Sequence, residues 1–283
     1  MKTIYIDHNI LACEKNWPEL SRLFSQNTDL RLAISDWNLL EIICTCDKPQ
    51  AIRRAELIDS LNPLWIMDRL FIQQHEVKQF IWLNYFNYQA ESFCVFTEYL
   101  SVLLSHYLGA DAPLGCTAKK WVENIHGNMP LKDIYSSKNE TVRALKTLQN
   151  TDTKKKKDSN ADVFRTLVFS KVPDRYQENR PIIISEKEKI VKYCYDNKDK
   201  FYLDCPAMAV EDKLCDIRTQ DHNRKPKESD AVDLQHSVLA LAYCDAFITG
   251  DGYIFRCVKQ AERKLKPLRI AAIYRDIQAY CNA

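Results

Sequence analysis

Two short apolar runs, one near each end of the chain, stop at an aspartate: Thr3-Ile4-Tyr5-Ile6-Asp7 and Ala246-Phe247-Ile248-Thr249-Gly250-Asp251. β-Branched and aromatic runs of this length, closed by an acid or a glycine, read as buried strands with the aspartate at the carboxyl end. Leu30-Arg31-Leu32-Ala33-Ile34 reads as another strand. Ser35 follows it as a candidate N-cap for a helix that carries Glu41 in its second turn. Strand, helix, strand, helix at this spacing predicts an α/β fold with a parallel sheet flanked by helices. Between Asp7 and the second strand, helix is expected from Ile10 onward, broken near Pro18.

From about residue 48 to 200 the periodicity turns helical. Helices are expected over 51–60, 67–88, 91–108, 117–125, 138–149 and 162–172, with a polar, lysine-rich loop over 150–160. A strand over 181–185 and a helix over 186–198 close the region. The last third returns to α/β. Ser229 caps a helix through Tyr243, then come the strand ending at Thr249, a helix over 253–263, a strand over 268–273 and a short closing helix. The organisation expected is a discontinuous core, residues 1–47 plus 201–283, interrupted by a mostly helical insertion over 48–200.

Placed on that scheme, five acids gather at one edge. Asp7 and Asp251 follow strands, Glu41 lies early in a helix after a strand, and Asp230 and Asp233 open a helix three residues apart. Open parallel sheets bind ligands beyond the carboxyl ends of their strands. Taken singly, Asp230 could cap a helix and Glu41 could be a surface acid. Taken together, the carboxylates repel one another and lose solvation unless a cation compensates. Oxygen donors select a hard divalent ion, Mg²⁺ or Mn²⁺. Arg224, Lys225 and Lys227 form a basic run immediately before the acids and are candidate phosphate contacts.

Composition narrows the alternatives. No apolar run approaches the roughly 20 residues of a membrane span, and the N-terminus has no export signal, so a cytoplasmic protein is expected. The net charge of +2 is too small for a binder driven by bulk charge. The 11 cysteines include no C-x2-C pair, only Cys44-x-Cys46, and are expected to be reduced and mostly buried. No glycine-rich turn follows the first strand, which excludes a dinucleotide site. Asp7-His8-Asn9-Ile10 lacks the second aspartate of HAD-like phosphatases.

The order of these segments resembles the PIN-domain nucleases. Asp7-His8-Asn9 is similar to their opening D-x-N, and Ser35 to Glu41 is similar to their S-x5-E. Asp233 and Asp251 stand where the third and fourth acids of that family stand, and Asp230 with Asp233 and His236 forms the doubled-acid D-x-x-D-x-x-H pattern of bacterial PIN-like proteins. The resemblance covers about residues 1–47 and 225–275. The aspartate often found shortly after the fourth acid is absent, and far more chain separates Glu41 from Asp230 than in a compact PIN domain.

The resemblance implies metal-dependent hydrolysis of phosphodiester bonds, with RNA the commoner substrate, 5′-phosphate and 3′-hydroxyl products, and roles as toxins, RNA-processing enzymes or phage-defence effectors. It casts Asp7 and Asp251 as central metal ligands, with Asp233 or Asp230 completing the site. Glu41 binds a second ion or orients the attacking water, while Asn9, Ser35 and Thr249 hold the acids by hydrogen bonds. His236 is expected to bond Asp233 or a substrate phosphate, or else to lie in the core. The helical insertion would serve a partner protein, a second copy or a lid. The alternative is a degenerate module of the same fold that binds RNA or a protein without cleaving.

Overall fold

Lys2–Ile6 forms strand β1, and the sheet grows outward from it on both sides. Leu30–Ile34 (β2) pairs parallel on one side and Ala246–Ile248 (β5) on the other, so that Tyr5 lies opposite Ala33 and Phe247. Leu64–Ile66 (β3) extends the β2 side in parallel, Phe96–Thr97 (β4) closes it antiparallel, and Ala272–Tyr274 (β6) lies parallel to β5. The order is β4-β3-β2-β1-β5-β6. The computed structural model describes residues 1–45, 47–108, 112–113, 115–126, 143, 153–175, 180–221, 223–225, 227 and 229–283.

Helices cover both faces because strand side chains alternate. Ile4, Ile6, Leu32, Ile34 and Ile248 point into one core, packed under Trp17–Gln26 (α2, after the short α1, His8–Leu11), Asp36–Thr45 (α3) and Lys48–Ser60 (α4). Tyr5, Ala33, Ile66, Phe247 and Ile273 point into the other. The helices over that second core follow later in the chain, beyond Arg69–Asn84 (α5), Leu100–Leu108 (α6), Ala118–Ile125 (α7) and Thr153–Phe169 (α8). Next come Ile184–Asp196 (α9) and Lys198–Asp204 (α10). Pro206–Gln220 (α11), Ser229–Tyr243 (α12) and Gly252–Lys264 (α13) then pack on the second face, and Ile277–Cys281 (α14) ends the chain. A third cluster joins α5 to α8, α9 and α10 through Phe80, Phe164, Ile190 and Phe201. No helix among the described residues is long and apolar enough to cross a membrane.

Several local expectations are corrected. Pro18 sits in the first turn of α2 and starts it, because a ring-locked φ suits that position and no intrahelical N–H is lost there. Residues 181–185 form no strand: Pro181 makes one isolated bridge to Arg175, and α9 begins at Ile184. Instead β3 and β4, both within 48–200, join the sheet beside β2. The helix expected over 91–108 starts only at Leu100, because Phe96 and Thr97 pair with Ile66 and Trp65. The lysine-rich stretch from Thr153 is helical rather than a loop, in keeping with the helix propensity of lysine. Of the helix expected over 138–149, all but Arg143 lies outside the described residues, as does Cys46. The ten described cysteines are free, and Cys194, Cys205, Cys244 and Cys257 are buried.

Candidate metal and active site

The parallel pairing of β1 with β5 brings residues 242 positions apart into contact. The Thr249 hydroxyl donates to Asp7 Oδ2 at 2.6 Å and accepts from the Asp251 amide at 3.1 Å, so one side chain ties the two post-strand aspartates together. Asp7 also accepts from the His8 amide at 2.7 Å and from Asn9 Nδ2 at 2.8 Å, and it caps α1. Asn9 Oδ1 in turn accepts the Gly250 amide at 3.2 Å. Asp251 caps α13, taking the Tyr253 and Ile254 amides on Oδ1 and leaving Oδ2 without a described donor. The site is therefore built from backbone turns at two adjacent strand ends.

Asp233 stands on the first turns of α12, and its carboxylate accepts no hydrogen bond from the described residues. Burial pushes it up to about 7; Arg218 opposes that shift, while the charges of Asp7 and Asp251 add to it. Asp7 is raised as well, first by burial and then, against the help of His236 and Thr249, by Glu41. The charges of Asp7 and Asp251 thus act on Asp233, and that of Glu41 on Asp7, with burial outweighing the opposing Arg218 and His236.

Glu41 is held by histidine. His236 Nε2 lies 2.8 Å from Glu41 Oε2, and His236 Nδ1 makes a short hydrogen bond with the Tyr5 hydroxyl. Tyr5 donates its one hydrogen to Asn38 Oδ1 at 2.7 Å. His236 thus bridges Tyr5 and Glu41 through its two ring nitrogens, and the Glu41 carboxylate favours the protonated ring. Burial pulls the His236 pKa down, but Glu41, Asp7 and Asp233 outweigh it and the net shift is upward.

The placement differs from expectation at Asp230, Arg224 and Ser35, and for His236 it selects the core position. Asp230 is not free to ligate: Arg224 Nη1 stands 2.6 and 2.7 Å from its two oxygens, the Lys227 amide donates at 2.7 Å, and the residue is 1% exposed. Arg224 is correspondingly committed to Asp230 and lies 3.7 Å over the Tyr253 ring, rather than open to a phosphate. Lys225 and Lys227 are exposed. Ser35 is buried at 2.7 Å from the Tyr5 hydroxyl and holds no acid directly. His236 bonds Glu41 rather than Asp233, and at 1% exposure it reaches no substrate.

Sequence reading missed Tyr5, Asn38, His8 and Asp36. Asn38 follows Ser35 by three and returns a hydrogen bond to its amide at 3.0 Å, half of a capping box that the S-x-x-N spacing encodes. His8 lies 3.9 Å from Glu41, with burial lowering its pKa. Asp36 follows β2 as Asp7 follows β1; burial pushes it to about 7, and the charge of Asp68, which follows β3, adds to that.

Compared with protein-family models, curated proteins and solved structures, the chain matches none. The site's own chemistry therefore carries the reading. Among the described residues no three histidine, cysteine or acidic side chains form a ready-made metal cage. The donor set nevertheless fits a hard cation. The acids offer carboxylate oxygens, Asp233 accepts no hydrogen bond from the described residues, and burial raises both Asp7 and Asp233, with the charges of Asp7 and Asp251 adding to the rise at Asp233, an imbalance that a divalent ion relieves. Mg²⁺ in particular takes one or two carboxylates and completes its shell with water and substrate phosphates.

Proposed function

We propose that this protein is a metal-dependent nuclease of PIN-like type, hydrolysing phosphodiester bonds in nucleic acid, RNA in preference to DNA. The observation that carries this reading is Asp233: a carboxylate that accepts no hydrogen bond from the described residues and feels the charges of Asp7 and Asp251, which follow adjacent parallel strands.

Mg²⁺ or Mn²⁺, when bound, lowers the pKa of water toward neutrality and offsets charge on the transferring phosphate. Asp7, Asp233 and Asp251 would hold the ion, Asp251 through its open Oδ2. Asn9 and Thr249 fix the Asp7 carboxylate from two directions, which sets the direction of its lone pairs. Glu41, oriented by His236, would line up the attacking water and take its proton. Lys225 and Lys227 are open to flanking phosphates, which fix register without reading sequence. A toxin or phage-defence effector is the biological setting proposed, with the helical region over 48–200 meeting a partner or a second copy.

The test is incubation of purified protein with labelled single-stranded RNA, single-stranded DNA and duplexes, in Mn²⁺ or in EDTA. Cleavage in Mn²⁺ alone, lost in Asp7→Asn, is expected. Asparagine preserves the cap of α1, so the variant remains folded. Binding without cleavage by folded wild-type protein would replace this reading with the non-catalytic module.

A further inference from the structure

β1 and β5 hand over to Asp7 and to the turn that carries Asp251, and β6, parallel to β5 at the sheet edge, hands over to an arginine. Arg275 follows β6 directly and is exposed. Its guanidinium lies 4.3 Å over the Phe255 ring and against the backbone of Gly252, the residue next to Asp251. A Cβ on Gly252 would stand 3.1 Å from Arg275 Nη1, so a side chain there would push the fork back by a few tenths of an ångström from the start of α13. Among the described residues Arg275 forms no ion pair, in contrast to Arg224, which is consumed by Asp230.

We propose that Arg275 binds a backbone phosphate of the nucleic-acid substrate beside the bond that is cut. The inference rests on the nuclease reading above for its substrate class. An edge carrying Asp7, Glu41, Asp233 and Asp251 repels a polyanion, so productive approach requires fixed positive charge close to the acids. Arg275 provides it one residue from Asp251. The planar fork matches two phosphate oxygens, and stacking on Phe255 fixes its plane before the substrate arrives, which reduces the entropy lost on binding.

The experiment is fluorescence anisotropy with a labelled single-stranded RNA in EDTA, over a salt series, alongside cleavage in Mn²⁺, for wild type, Arg275→Ala, Arg275→Lys and Gly252→Ala. Arg275→Ala is expected to weaken binding about fivefold to twentyfold and to reduce the salt slope by about 0.7, the loss of one phosphate contact on a single strand. Arg275→Lys keeps the charge and falls between. Gly252→Ala weakens binding because its methyl displaces the guanidinium, while its thermal midpoint is unchanged or raised. If wild type cleaves and Arg275→Ala binds and cleaves like it, the phosphate contact is refuted and the nuclease reading stands. If wild type binds without cleaving and Arg275→Ala binds less, the contact stands and the nuclease reading falls. If wild type neither binds nor cleaves RNA, both are overturned.

Discussion

His236 and Glu41 form an ion pair between α12 and α3, Nε2 to Oε2 at 2.8 Å, across 195 residues of sequence. The histidine is sealed while Glu41 keeps one edge open, so the pair transmits the rigidity of the buried Tyr5–Ser35–Asn38 network to a side chain that faces the site. Removing the ring takes one hydrogen bond from Tyr5 and one from Glu41. His236→Ala is expected to cost about 2–4 kcal/mol in urea denaturation, given the loss of a buried charged hydrogen bond. Glu41→Gln retains an acceptor and is expected to cost less. A variant His236→Ala as stable as wild type would show that the pair does not hold Glu41.

Asp7, Asp233 and His236 all have folded-state pKa values raised above their unfolded values. In each case the folded protein binds the proton more tightly, so stability is greatest at low pH and falls as pH rises, for Asp233 between about 4 and about 7. His8, with a lowered pKa, acts in the opposite direction. Asp233→Asn removes one of these carboxylate contributions. In EDTA the variant should gain stability on wild type by about 1–2 kcal/mol at pH 8 and show little difference at pH 4, read from paired denaturation curves. A difference that does not change with pH would contradict the assigned environment.

Divalent metal should act on the same charges. Saturating Mn²⁺ at about 100 times its dissociation constant stabilises wild type by about 2.7 kcal/mol. The shift in thermal midpoint should be larger at pH 8 than at pH 5, because protonated carboxyls bind metal poorly. Asp7→Asn and Asp233→Asn should lose most of the shift. An equal shift in those variants would place the ion elsewhere.

Thr249 joins the two central aspartates without offering a charge. Thr249→Val keeps the shape and removes both hydrogen bonds, leaving Asp7 Oδ2 with Asn9 alone. Cleavage is expected to fall about 10–100-fold, the usual effect of losing a group that orients a ligand. Thr249→Ser, which restores the hydroxyl, should recover most of it.

Asp230 and Arg224 separate a structural acid from the reactive ones. Arg224→Ala strands a carboxylate that is 1% exposed and is expected to destabilise the fold by about 1–3 kcal/mol, discounted for the partly exposed arginine. The Arg224→Ala, Asp230→Asn double variant should regain part of that loss in a double-mutant cycle. Its cleavage per folded molecule should stay near that of wild type, whereas Asp233→Asn should have none.

Residue type and local order along the chain were enough to establish that acids follow strands. The strands ending at Ile6, Ile34 and Ile248 are legible because each is a short, largely apolar run bounded by a cap or turn residue, and Asp7, Glu41 and Asp251 are located by them. β3 and β4 are three and two residues long, too short to carry a period, so Asp68 and the true extent of the sheet stayed hidden. Which acid is spent and which is open was decided only by the fold. Asp230 and Asp233 are alike in sequence, three apart on one helix, but the loop before α12 turns Arg224 onto the first, while the sheet brings Asp7 and Asp251 to the second. Local patterns fix where a side chain leaves the backbone; the partner that neutralises it comes from a distant segment, and only packing brings the two together.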